Sequence, residues 1–146
     1  MSMRFHSQLF YMQLNEPKGL FNMNIILWVF QILLAVAFGG AGFMKVSQSK
    51  AKIAENPRMG WVNDFTDNQV KMIGSLEIAG AIGLILPAAL DILVFLTPLA
   101  AVGLVLTMIG AGYTHYHRNE SVIVPVVLGA IALFVAVGRF FIEPFN

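Results

Sequence analysis

The sequence predicts an all-α integral membrane protein: a four-helix bundle with a short amphipathic interfacial segment between helices one and two. Three observations carry that prediction. The chain of 146 residues is 58% hydrophobic, and its 9 basic and 8 acidic residues are too few to give a soluble domain of this size a polar shell. It contains separate apolar runs of about 20 residues, each long enough to cross a hydrocarbon core of roughly 30 Å as a helix. The later runs are joined by tight connections, which force neighbouring helices to lie antiparallel.

Taken in order, residues 1–22 (MSMRFHSQLFYMQLNEPKGLFN) mix aromatic and polar side chains and lack the apolar stretch of a cleavable signal peptide. Residues 1–23 read as an N-terminal tail resting Phe5, Phe10, Tyr11 and Phe21 on lipid headgroups, or as a surplus extension ahead of a start at Met23. The four-helix domain then occupies 24–142. Its apolar runs are Asn24 to Met44, Val70 to Leu90, Ile92 to His115 and Ser121 to Phe141. In lipid the backbone must satisfy its own hydrogen bonds, so these runs are helices.

The one long polar connection is KVSQSKAKIAENPRMGWVNDFTDNQ. Within it Met59, Val62 and Phe65 recur at helical spacing, Trp61 lies one turn from Phe65, and Pro57 stands where a helix can begin. Thr66 to Gln69 has the form of a capping box ahead of the second span. Asp91 is placed to cap the start of the third helix, and Pro125 falls in the first turns of the fourth, where it costs little. Ala35/Gly39, Ala37/Ala41, Ala79/Gly83 and Ala132/Ala136 have the spacing that lets membrane helices touch, although Gly and Ala are common in any such helix.

Charge asymmetry sets orientation. Lys45, Lys50, Lys52, Arg58, Lys71 and Arg118 lie on the side of the long connection, against Arg4, Lys18 and Arg139 on the other. The positive-inside rule then places the long connection in the cytoplasm and both termini outside, in a multi-pass protein of the inner (cytoplasmic) membrane.

Glu77 is the residue that most needs explaining. An ionised side chain inside a membrane helix costs on the order of 2.5–3.5 kcal/mol on insertion scales, so the acid should find a partner within the protein. The hairpin order brings Lys45 from helix one and Tyr113, His115 and His117 from helix three to the same half of the bundle. A polar centre of Lys45, Glu77, His115 and Tyr113 follows. It reads either as a structural clasp or as a site that moves a proton or hydrogen-bonds a carbonyl-bearing ligand such as a quinone. Arg139, at the far end, reads as a snorkelling anchor beside Phe140 and Phe141, with Trp28 as an interfacial belt residue.

Several functions are disfavoured. The chain has no cysteine, which removes disulfides, thiolate nucleophiles and Cys-ligated metals. A net charge of +1 without a basic, aromatic-laced patch gives no nucleic-acid signal. His115 and His117 point about 200° apart on a helix, so no metal site is expected. Met44, Met72 and Met108 read as packing residues. No intrinsic cofactor is expected, a quinone being the external candidate.

The segments GFMKV at 42–46, GSLEIAGAIGLILP at 74–87, LVLTMIGAGYTH at 104–115 and VGRF at 137–140 together resemble the DoxX-like family over residues 24 to 142. That resemblance implies a small four-span bundle of the bacterial cytoplasmic membrane, and it maps the recurring Lys, Glu, His and Arg of the family onto Lys45, Glu77, His115 and Arg139. It also implies association with redox complexes such as quinol oxidases, though such analogy transfers a fold better than a reaction. The resulting expectation is an accessory subunit or assembly factor of a membrane complex, working with a membrane-protein partner or as a homo-oligomer. The alternative is a quinone- or small apolar ligand-binding oxidoreductase component using Glu77 and His115 as proton partners.

Overall fold

The computed structural model describes residues 22–145. Expectations that fall on residues 1–21 lie outside the described residues. The first span, α1, is Met23–Ser47. A short α2, Lys50–Ala54, and a 3-10 segment, Pro57–Asp64, make up the long connection. The remaining spans are α3, Asp67–Leu90, α4, Leu96–His117, and α5, Ile123–Val137, which continues into a π-helical turn at Gly138–Ile142. Among the described residues four helices are long and apolar enough to cross a membrane.

Local chemistry sets these boundaries. The Asn22 side chain accepts from the Asn24 amide to start α1. Thr66 and Gln69 form the reciprocal capping box, so α3 begins at Asp67, three residues before the apolar run. Asp91 does not cap α4. It takes a left-handed conformation (φ 55°) that terminates α3, with Leu93 also at positive φ, and α4 starts at Leu96 without a side-chain cap. A short polar residue tolerates that conformation, and the apolar residues after it could not be told from helix by hydropathy alone.

The interfacial segment is a 3-10 turn rather than an α-helix. Its apolar face is turned inward: Val62 is fully buried with Ile53 and Val70, flanked by Met59, Trp61 and Phe65.

The helices form a ring in which α1 packs on α3, α3 on α4, α4 on α5, and α5 back on α1. Leu34, Phe38, Leu84, Leu104 and Val135 form the main core, while Val36, Leu106, Ile109 and Leu133 face outward, as lipid requires. The closest backbone approach joins α1 to α3. A Cβ at Gly42 would lie 2.6 Å from the Gly74 carbonyl oxygen, so only glycine fits. The small residues singled out in the sequence divide. Gly83 meets Ala100, and Ala132 and Ala136 are buried, but Ala37 and Ala41 border a cavity instead of a helix seam.

Candidate functional site

Each member of the central pair is placed by a different element. Lys45 occupies the last turn of α1, where the helix dipole favours a cation. Glu77 lies ten residues into α3, about 15 Å along its axis at 1.5 Å per residue. One turn before each stands the Gly42/Gly74 crossing, which holds the two backbones in contact. As a result Lys45 Nζ lies 2.6 Å from Glu77 Oε2, with both side chains about 95% buried. The Trp61 ring stands 5.7 Å from the ammonium, an added stabilisation for a desolvated cation.

Beside the pair lies a partly enclosed cavity of about 1060 Å³. It exists because the main core stops short of the long connection: Phe38 and Met108 are both core residues and cavity walls. Trp61 and Phe65 cover it from the connection, and Pro125 and Leu128 bound it from α5. Lys45, Glu77, His115 and Tyr113 all line this space, so the structure gathers the four sequence candidates around one cavity. Only Lys45 and Glu77 touch each other. His115 Nδ1 lies 2.7 Å from Glu120 Oε2, not against Glu77. Tyr113 is 66% exposed and stacks on His117 at 4.1 Å.

The pair leaves chemistry to spare. An ammonium has three N–H donors, and a carboxylate has a second oxygen. Among the described residues Glu77 Oε1 takes no hydrogen bond. A molecule in the cavity can therefore accept from Lys45 and donate to Glu77 at once. The Thr107 and Thr114 hydroxyls donate to the carbonyls of Gly103 and Gly110 on their own helix, which leaves their oxygens as acceptors.

Outside the membrane spans, Arg118 organises the rim. Its Nε donates to Glu120 Oε1 at 2.7 Å, and its Nη1 straddles both oxygens of Asp64 at 2.8 Å. The hydrogen bond from Arg118, assisted by His115, holds the Glu120 carboxyl below the usual carboxylate range.

Arg139 corrects the sequence reading. It does not snorkel to the lipid surface; it is 2% exposed and points into the bundle. Its Nε donates to Gln31 Oε1 and its Nη1 to Asn24 Oδ1, both at 2.7 Å, and Nη1 also reaches the Glu143 carbonyl. The rings of Phe145 and Trp28 lie 4.0 and 5.7 Å from the guanidinium, so Trp28 is also a partner of Arg139. The cause is local. The π-helical turn changes the angular position of Arg139, and Gly138 packs directly on Leu27 of α1. Gln31, whose Nε2 donates to the Leu84 carbonyl at 2.7 Å, escaped the sequence reading although it was a polar residue inside an apolar run. Trp61, Arg118 and Glu120 also escaped it, because their roles depend on how the connections fold over the cavity.

The model of the DoxX-like family matches residues 29–137. The chain belongs to the DoxX-like family. Within this DoxX-like chain the match includes Lys45, Glu77, Tyr113 and His115 and ends before Arg139. No curated protein and no solved structure matches the chain. No cluster of three His, Asp or Glu side chains with metal-holding geometry occurs among the described residues.

Proposed function

We propose that this DoxX-like protein is a membrane-embedded binding protein for a small apolar molecule with a hydrogen-bonding head, of which a quinone is the leading class. One observation carries the reading: the buried Lys45–Glu77 pair forms a wall of a cavity of about 1060 Å³. Ligand sites are commonly apolar clefts of about 300–1,000 Å³ with a few convergent polar groups. A quinone or quinol head presents carbonyls to Lys45 Nζ and hydroxyls to Glu77 Oε1. His115 and Glu120, at the rim, form the route by which a proton leaves or reaches the cavity.

In this reading the protein serves a redox complex of the inner membrane as a small accessory subunit or assembly factor, with the long connection in the cytoplasm. The ligand is tested by extracting lipids from protein purified out of native membranes and identifying them by mass spectrometry. A quinone should co-purify with the wild type and be lost from Glu77→Gln while the helices remain folded. Loss of thermal stability in Glu77→Gln with no ligand in either protein would leave the pair as a clasp only. A pull-down from the same membranes tests the partner, and recovery of the chain alone or as copies of itself would remove the accessory-subunit role.

A further inference from the structure

We propose that the ligand reaches this cavity sideways from the bilayer, through a slit between α3 and α4 bordered by Leu76, Leu106 and Gly110. The inference rests on the cavity being a ligand site and narrows the ligand to a membrane-dissolved, tailed molecule rather than a water-soluble metabolite.

The two helices form a V. Near the end away from the long connection they are jammed together: a Cβ at Gly83 would lie 2.7 Å from Ala100 Cβ, and one at Gly80 2.6 Å from Leu104. Toward the connection the cavity comes between them: Ile73, Leu76 and Glu77 of α3 and Thr107, Gly110 and Ala111 of α4 all line it. A Cβ at Gly110 would meet nothing within 4 Å. Leu76 and Leu106 line the cavity yet are 57% and 63% exposed, so the same residues border the interior and the lipid.

The slit suits a hydrocarbon chain. Thr107 and Thr114 spend their donors on the helix backbone, so neither hydroxyl offers a donor to water along this flank. Two other pairs approach closely on this half. Gly42 and Gly74 bring α1 against α3, and a Cβ at Gly129 would come within 3.2 Å of Met108 beneath a shallow apolar groove between α4 and α5. The α1–α5 side is the competing mouth, bordered by Ala37, Met44 and Leu128. A ligand head at Lys45 and Glu77 would leave its tail in the slit, among the acyl chains.

The chain carries 2 tryptophans, one of which, Trp61, lines the cavity. Trp28→Phe makes Trp61 the sole reporter and keeps a ring beside Arg139. The full chain is reconstituted into vesicles of phosphatidylcholine with brominated acyl chains, which quench a tryptophan they touch. Trp61 should be quenched in that background, and Gly110→Phe should relieve the quenching whereas Ala37→Phe on the α1–α5 side should not. Leu106→Phe, at the border of the slit, gives a second plug should the first misfold. Quenching unchanged by both plugs, or relieved by Ala37→Phe instead, would overturn the slit. So would a Trp61 quenched by aqueous iodide and indifferent to bromine. A responsive Trp61 with no co-purified ligand keeps the slit and removes the binding reading; an unresponsive one beside a co-purified quinone does the reverse.

Discussion

Two buried cations sit at opposite ends of this bundle, and they are stabilised by different means. Lys45 meets an acid beside open space, with donors left over. Arg139 meets neutral oxygens and aromatic rings, and its Nε and Nη1 hydrogens are committed to Gln31, Asn24 and Glu143. A charge withdrawn from water must be compensated in either case. The difference lies in what remains once that is done. The Arg139 guanidinium directs four of its five N–H donors to groups of the bundle and joins α1 to the end of α5, so it acts as a clasp. The Lys45–Glu77 pair is unsaturated and borders a cavity, so it stays available to a guest.

The contrast can be broken by mutation, and the largest effect is expected at the unsaturated end. Lys45→Met alone leaves Glu77 buried without its partner and should cost about 3–5 kcal/mol in thermal or denaturant unfolding of the purified protein. Replacing both, as Lys45→Met with Glu77→Met, should recover most of that stability and still abolish ligand co-purification. A double variant as unstable as the single one would mean the pair is needed as a clasp. Next comes Arg139→Leu, which orphans Gln31 Oε1 and Asn24 Oδ1 at about 1–3 kcal/mol each. Here stability should fall while any co-purified ligand is retained, and loss of the ligand would erase the distinction between the two ends. Gly42→Ala should cost about 1–3 kcal/mol by overpacking against Gly74, and it should weaken ligand retention too, because the crossing positions Lys45.

The smallest effect concerns pH. Glu120 is held below its ordinary range by Arg118, so its contribution is present above the unfolded value of about 4.5 and fades as pH falls through the lower folded value. An unfolding titration should show this acid step in the wild type and lose it in Arg118→Gln.

Much of this architecture was legible in the sequence. Apolar runs gave the spans, and the Thr66–Gln69 box marked where α3 begins. Helix order alone placed Lys45 and Glu77 in the same half of the bundle. What stayed hidden depends on direction around a helix axis. Where a span is apolar on every side, periodicity cannot say which flank faces in, so Arg139 reads the same whether it snorkels or turns toward Gln31. Gly42 and Gly74 were lost among many small residues, any of which could have marked the crossing. The cavity had no signal of its own, because a void is a failure of distant side chains to meet.

The contact between Arg118 and Asp64 spans 54 positions of sequence and ties the α1–α3 connection to the turn leading into α5. At this end of the molecule it bridges the two helix pairs across the top of the cavity, in an exposed setting. Exposed ion pairs weaken as mobile counterions crowd around them, with a Debye length of about 8 Å at physiological ionic strength. How widely the pairs breathe apart, and so how readily a guest exchanges, should therefore track the salt content of the adjoining aqueous compartment.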